Sequence, residues 1–469
     1  MRIPDRLSGL FSSDSTPVQL AERFVESGYT LYLVGGTVRD ALIGRKHTDL
    51  DFATDARPDQ IKELVAGWAH DLYLAGEIFG TIGVVRDGIV HEITTFRSEG
   101  YVDESRKPSV SFSDEINEDL SRRDFTINAM AIRVPGVPGE SPDIVDPYGG
   151  LADLANRVLR TPLDAEISFG DDPLRMLRLY RFMATLGFSI DKALHSAVAD
   201  MANRLEIVSA ERIRDELNKL IVGPNVGVAL WGLVRSGLAE QFIPEIPGLA
   251  LEQDPMQKHK DVLAHSIAVV EKVSPILELR LAALFHDIGK PATREFGPSG
   301  VSFHHHEVVG ARSTRNRMRA LRYSRREIKD VGNLVFLHMR PHTYKMGWTD
   351  SAVRRYVRDA GPLLELLNEL VRSDVTTRNA KRAKKITERI DELESRIATL
   401  REQEALDALR PPIDGYHVME YLELQPGPAV GQIMRMLMEH RIEHGPYTEQ
   451  QAYAMLDHWK EQGSEGKPG

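Results

Sequence analysis

The sequence predicts an α+β chain in which a small mixed-sheet head precedes regions that are all helical. Three observations carry that prediction. Short runs of alternating apolar residues, bounded by glycine and proline, recur as far as Ile132. From Asp171 onward apolar residues fall at helical spacing instead. The 469 residues, 42% hydrophobic and 27% charged, supply roughly three domains with sizeable cores.

Composition narrows the function. The absence of cysteine removes disulfides, thiolate metal sites and cysteine nucleophiles, and fits a reducing compartment. Neither an apolar signal segment near Met1 nor an apolar run of ~18 residues is present, so a cytoplasmic protein without membrane attachment is expected. A net charge of -10 argues against wholesale wrapping of nucleic acid, and any RNA contact must rest on local basic patches. No P-loop motif and no G-x-S-x-G elbow occurs.

In chain order, Pro17 to Ser27 reads as a helix with Val18, Leu20, Ala21, Phe24 and Val25 on one side, and Tyr29 to Val34 as a strand leading into a glycine turn. Gly35 and Gly36 let backbone N–H groups approach phosphate, and a helix over Val38 to Gly44 would turn its N-terminus toward an anion. In the next strand Asp49 and Asp51 alternate with Leu50 and Phe52. Both carboxylates then project from one face while the apolar pair enters the core. Such a pair suits Mg²⁺ held against a nucleoside triphosphate; taken alone, the same spacing also describes a solvated surface pair. Pro58 opens a helix to Trp68, and Leu72 to Leu74, Ile82 to Arg86 and Val90 to Phe96 read as strands. Glu92, on the last of these, is either a third carboxylate near the metal or an exposed strand residue.

Arg97 to Ser121 lacks periodicity and reads as a mobile loop. Arg122 and Arg123 then offer fork-shaped donors for triphosphate oxygens. Asp124 and Asn128 stand beside them on a strand made by Ile127, Ala129 and Ile132. Asp172 and Arg175, three apart, share a helix face, where they form either an intrahelical salt bridge or a donor–acceptor pair able to read a base edge. Arg178 and Arg181 extend a basic edge. Ser209 is the expected N-cap of a helix whose Glu211, Arg212, Arg214 and Glu216 make a bracing network.

LVGGTVRD at Leu33 to Asp40 and HTDLDF at His47 to Phe52 are followed in order by RRDFTINAMA, DPYGGLADL, DDPLRMLRLYRF and SAERIRDEL. This series resembles the class II tRNA nucleotidyltransferases, the CCA-adding enzymes and bacterial poly(A) polymerases of the DNA polymerase β superfamily, over most of the chain. The resemblance implies a DNA polymerase β-like nucleotidyltransferase head at 1–160 and a helical neck and body for nucleotide selection and RNA binding at 161–254. It implies template-independent addition or repair of the 3′-terminal CCA of tRNA, using CTP and ATP and releasing pyrophosphate. Asp49 and Asp51 would be the catalytic ligands of Mg²⁺. Gly35, Gly36, Arg39, Arg122, Arg123, Asp124, Asn128 and Arg178 would bind the nucleotide, and Asp172 with Arg175 would select its base. Asp171 stands where the family commonly has Glu, and the Arg97 to Ser121 loop would shift during addition.

Beyond Pro255 the histidines concentrate. Imidazole and carboxylate ligands from several helices can hold a divalent transition metal and activate water for phosphoester hydrolysis. The ordered set His265, His286, Asp287 and Asp374 resembles the ligand pattern of the HD-domain phosphohydrolases, implying such a module at 255–379. His306 and His338 would be further ligands or phosphate contacts, and Lys290 would meet a substrate phosphate. Arg312, Arg315, Arg319 and Arg322 in one basic run, and Lys381 and Arg382 in another, are candidate RNA-backbone contacts or solvated faces. Ile386 to Arg401 reads as a striped helix, with Pro411-Pro412 as its break, within a helical tail at 380–469. The rival readings are a poly(A) polymerase, a phosphohydrolase acting on RNA or nucleotides through the HD module, and a specialist that adds only CC or only A.

Overall fold

The computed structural model describes residues 5–45, 49–100, 109–137, 139–251, 261–297, 300–344, 348–375, 380–404 and 410–464. They divide into two units, Met1–Pro247 and Gly248–Gly469. Among the described residues no helix is long and apolar enough to cross a membrane.

The first unit lays down β1 (Leu31–Val34), β2 (Asp49–Thr54), β3 (Asp71–Tyr73), β4 (Thr81–Arg86), β5 (Ile89–Thr95), β6 (Arg97–Gly100), β7 (Ser109–Phe112), β8 (Ala131–Arg133) and β9 (Asp143–Val145). One sheet takes the order β3-β4-β5-β2-β1-β8-β9. Only its β2–β5 pair is parallel, so the sheet is mixed, as expected. Leu50 and Phe52 are buried from β2, which fixes the opposite side of that strand for its two aspartates. The first helix, Thr16–Glu26, starts where Ser15 accepts from the Val18 amide, and buries Val18, Leu20, Ala21 and Phe24.

Two stretches differ from expectation. Arg97 to Ser121 is not loop throughout: β6 and β7 pair as a hairpin, and Ile116–Ser121 is helical. The four-residue strands of the hairpin are too short to show a period. Residues 101–108 of that segment lie outside the described residues. Ile127 is also not on a strand, because Thr126–Asn128 winds into a 3-10 turn. Its Thr126 hydroxyl donates to Asp153 at 2.6 Å and its amide to the Arg160 carbonyl at 2.8 Å.

The rest of this unit is built on helices Ala165–Asp171, Leu174–Leu186, Lys192–Met201, Ala210–Ile221 and Val226–Arg235. A short parallel pair, β10 (Val158–Leu159) with β11 (Ser189–Ile190), sits among them. Ser209 caps Ala210–Ile221 by accepting from the Arg212 amide at 3.4 Å.

The second unit places helices Val262–Lys272, Leu277–Phe285, His306–Ala320, Arg325–Leu337, Asp350–Ala360 and Leu364–Ser373 ahead of the long helix Ala380–Glu404. Ile390, Leu393, Ile397 and Leu400 of that helix are buried, the stripe its sequence predicts. Three more helices, Gly415–Leu422, Pro428–His444 and Glu449–Ser464, close on a core of Ile413, Val418, Ile433, Leu437 and Leu456. Among the described residues of this unit one hairpin, β12 (Arg294–Gly297) with β13 (Gly300–Phe303), stands among the helices.

Candidate nucleotide pocket and metal centre

β1 ends at Val34 and the chain turns at once into helix Gly35–Leu42, three residues ahead of the expected start. Gly35 has φ +64°, the left-handed region that favours glycine, and a Cβ there would press on Arg123 Nη1 at 2.9 Å. Thr37 in the same turn accepts from the Asp51 amide at 2.9 Å, tying helix to β2. Asp51 and Glu92 are register partners across β2 and β5. Burial first, then Glu92, with a further contribution from Asp49, pushes the Asp51 carboxyl up to about 6 against the pull of Arg123 and Arg39.

A cavity of about 830 Å³ opens over this strand pair. Its lining brings together Gly35, Gly36, Arg39, Asp51, Arg122, Arg123, Asp124, Asn128, Asp172, Arg175 and Arg178. Asp49 stands at the exposed first position of β2, outside that lining. Arg39 donates to Asn128 at 2.6 Å and to Asp40 at 2.7 Å, and Asn128 donates to Asp124 at 2.8 Å. Asp124 also pairs with Arg178 at 2.8 Å. Burial alone would raise the Asp124 carboxyl, but Arg178 and the Asn128 hydrogen bond hold it below the usual range. Buried Arg122 Nη1 and Arg178 Nε have no hydrogen-bond partner among the described residues. Buried donors in that state suit an anion.

Asp172 and Arg175 do not share a helix face. Asp172 precedes Pro173 and is extended, with φ -145° and ψ 100°, because proline disfavours the helical region in the residue before it. Its carboxylate accepts from the Leu174 amide at 3.1 Å, capping Leu174–Leu186, and pairs with Arg212 at 2.7 Å. Arg175 turns inward, donating to Ser168 Oγ at 3.0 Å and to the Arg122 carbonyl. Both still face the cavity.

Sequence reasoning did not place Asp119 or Arg212 in the pocket. Asp119 holds Arg123 at 2.9 Å, a helical i,i+4 spacing that was there to be read. Arg212 arrives from 40 positions beyond Asp172, and no local signal announces it. Arg181 also lines the cavity, stacked 3.9 Å from the Phe182 ring centroid and paired with Glu216 at 2.8 Å. Burial lowers its guanidinium to about 10, with Glu216 opposing.

In the second unit, six side chains from five helices and their ends converge, His286 and Asp287 being neighbours at the end of Leu277–Phe285. His265 Nε2 lies 2.8 Å from Asp374 and 3.2 Å from His286 Nε2, which is itself 3.2 Å from Asp287. Asp287 continues to His306 at 3.5 Å and to Lys290 at 2.6 Å. Two groups of three ligand atoms, His265/His286/Asp374 and Asp287/His306/His338, each fall within 4.8 Å. The Nδ1 atoms of His286, His306 and His338 meet the carbonyls of Ala283, Phe303 and Val335 at 2.8, 2.8 and 2.6 Å. Nδ1 is therefore the donor, and each Nε2 is turned inward, the arrangement metal-ligating histidines adopt. His306 Nε2 and His338 Nε2 are buried without a hydrogen-bond partner among the described residues, so the donor set fits divalent cations. Burial would lower the His286 imidazole, but Asp287 and then Asp374 raise it to about 10; burial, helped by His286, lowers His338 to about 3. Gly289 lets the two helices meet here, since a Cβ would lie 2.1 Å from the His306 carbonyl.

Of the basic candidates, Arg312, Arg319 and Arg322 are exposed. Arg315 is half-buried, packs over Gly332 and donates to Asn333 at 3.0 Å. The side chains of Lys381 and Arg382 lie outside the described residues.

Comparison with known proteins gives three family matches: Poly A polymerase head domain over residues 31–160, Probable RNA and SrmB- binding site of polymerase A over 187–249, and HD domain over 262–396. The A-adding tRNA nucleotidyltransferase of Deinococcus radiodurans is 33% identical over 92% of this chain and 95% of its own length. The CCA-adding enzyme of Lactobacillus delbrueckii subsp. bulgaricus is 40% identical over 52% of this chain, which spans only 58% of that enzyme. A crystal structure of the Bacillus stearothermophilus CCA-adding enzyme in complex with CTP shares the fold, with TM-score 0.68, 24% identity, and coverage of 99% of this chain and 100% of that one.

Proposed function

Since this chain belongs to the family of tRNA nucleotidyltransferases and poly(A) polymerases, we propose that it builds or repairs the 3′-terminal CCA of tRNA from CTP and ATP, without a template and with release of pyrophosphate. The observation that supports this reading is the single cavity in which Asp51, an arginine cluster and the Asp172/Arg175 pair open together. Asp49 and Asp51 would hold Mg²⁺, a role that suits a carboxylate raised by burial and then by its acidic neighbours. Mg²⁺ held by these two carboxylates would supply the charge that activates a 3′-hydroxyl and neutralises a leaving pyrophosphate. Arg39, Arg122 and Arg123 would clamp the triphosphate, and Gly35 would keep the backbone close to it.

Asp172 and Arg175 would present one acceptor and one donor set to the base edge, held apart by Arg212 and Ser168. Arg178 would fix Asp124 against the ribose. The exposed arginines Arg312, Arg319 and Arg322 are offered as RNA-backbone contacts. A cytoplasmic site of action accompanies this role.

The near full-length likeness to an A-adding enzyme favours a second reading, in which only the final A is added. Extension of tRNA transcripts lacking CCA, or ending in CC, with CTP, ATP or both decides between them at single-nucleotide resolution. A stop after C, C and A supports the first reading; extension of the CC-ended transcript alone supports the second. Long A tracts would move the chain to the poly(A) polymerases.

The inward-turned histidines of the second unit further support a metal-dependent phosphoester hydrolase there, holding a divalent transition metal. Metal content should fall in His286→Ala and Asp287→Ala chains; unchanged content would defeat the ligand assignment.

A further inference from the structure

The cavity over β2 continues across the sheet as an open face. Register pairs Asp51 with Glu92, Glu92 with Gly83 and Gly83 with Tyr73. Register partners point to the same side, so one row of positions runs from β2 through β5 and β4 to β3 on a single face. The other face of β4 and β5 buries Ile82, Val84, His91 and Ile93. Along the row itself Asp51 and Gly83 are half-buried, and Glu92 and Tyr73 are exposed. Two residues further along the strands, Thr81 and Thr94 continue the same face, with their hydroxyls 3.0 Å apart.

The floor of this face is low, and rings stand at its far side. A Cβ on Gly83 would lie 3.2 Å from Tyr73 Cβ, so Tyr73 leans over a position that carries no side chain. Tyr73 belongs to the edge strand of the sheet and is 56% exposed. Phe79 lines the cavity, is 40% exposed and ends the 3-10 turn Glu77–Phe79. That turn is tied down at two points. Arg97 donates to the Phe79 carbonyl at 2.9 Å, and the Thr95 amide donates to the Gly80 carbonyl at 2.9 Å. Exposed rings on fixed backbone are stacking surfaces for nucleobases, and stacking accepts any base.

The proposed reaction has two substrates. The nucleoside triphosphate is provided for by the arginines and by Asp172 with Arg175, on the far side of the cavity from β3. The RNA must bring its 3′-hydroxyl to Asp51, and its preceding bases need a seat. Tyr73 stands ~14 Å from Asp51 across three strand spacings. At ~3.4 Å for each stacked nucleotide, that span holds about three or four.

We propose that Tyr73 and Phe79 stack the unpaired bases at the 3′ end of the RNA primer, and that the row from Tyr73 to Asp51 is the track along which this end reaches the reacting centre. This rests on the nucleotide-adding reading of the cavity. A base-tolerant grip serves ends that change in length and sequence as nucleotides are added. Base reading is left to Asp172 and Arg175, which meet only the incoming nucleotide.

A tRNA transcript ending in CC, with 2-aminopurine as the unpaired base before those two, reports the stack, because this base loses emission when stacked. Saturating parent chain should quench it, and Tyr73→Ala should restore the emission. With ATP present, Tyr73→Ala and Phe79→Ala should each raise the KM for this transcript roughly tenfold, within the range of a lost base stack. The KM for ATP should move by less than about twofold, and Tyr73→Phe should keep the parent's values. Emission and transcript KM left at parent values by both alanine variants, in a chain that still adds A, overturn the track and leave nucleotide addition standing. Quenching that Tyr73→Ala abolishes, in a parent that adds no nucleotide to any transcript, upholds the stack and overturns the nucleotide-adding reading. A KM that rises equally for transcript and ATP marks rings that only support the sheet, and overturns the track. An equal loss of affinity for a transcript trimmed of its unpaired end also overturns it, since the face would then grip the duplex.

Discussion

Replacing Asp51 with Asn should stabilise the metal-free first unit at neutral and higher pH. Burial, with Glu92 opposite across the strand pair, moves the Asp51 carboxyl from 3.8 to about 6. At 1.36 kcal/mol per unit, that is about 3 kcal/mol between the protonated and ionised forms. Because the folded value is raised, the stability it confers is fully present below 3.8 and lost as pH rises through about 6. Above pH 6 the parent therefore carries a penalty that Asn lacks. Urea unfolding followed through Trp68 and Trp231, in a chain with Trp348→Phe and Trp459→Phe, should show Asp51→Asn more stable by ~1–3 kcal/mol at pH 8 in chelator. The gain should shrink toward zero near pH 4. Millimolar Mg²⁺ should stabilise the parent and not the variant. Equal stabilities at pH 8, or a gain independent of pH, would refute the claim that β2 buries a carboxylate poised for a cation.

Two other perturbations test the pocket and the surface. Asp172→Ala or Arg175→Ala should cut discrimination between CTP and ATP by ~5- to 150-fold, the worth of one polar base contact, while changing kcat less; equal loss with both nucleotides and selectivity intact would contradict base reading. Arg212→Ala should move selectivity in the same direction, since it releases Asp172 from its 2.7 Å partner. In filter binding, Arg312→Ala with Arg319→Ala should weaken tRNA affinity at low salt and lower the slope of log affinity against log salt by about 2, whereas an unchanged slope would remove both from the RNA contacts.

What the sequence made legible follows from how far each signal reaches along the chain. Asp49, Leu50, Asp51 and Phe52 carry a period of two within four residues, and β2 buries Leu50 and Phe52 from one side as that period requires. Ser209 and the Ile390 to Leu400 stripe are equally local, and both appear as read. Asp172 and Arg175 failed for a local reason too: Pro173 stands between them and denies Asp172 a helical conformation. The β6–β7 and β12–β13 hairpins escaped because their four-residue strands are too short to show a period. Arg212 was beyond reach altogether, being delivered to Asp172 by helix packing across 40 residues. In the second unit the histidines were countable, but the inward turn of each Nε2 depends on backbone carbonyls three residues back.

The central claim is that nucleotide addition is carried out in the cavity over β2, and one comparison tests it most directly. An Asp49→Ala/Asp51→Ala chain, assayed beside the parent for extension of a tRNA transcript lacking its CCA end and of one ending in CC, should add no nucleotide to either while its second unit keeps the parent's metal content. Addition surviving in that chain at a rate within tenfold of the parent would contradict the account.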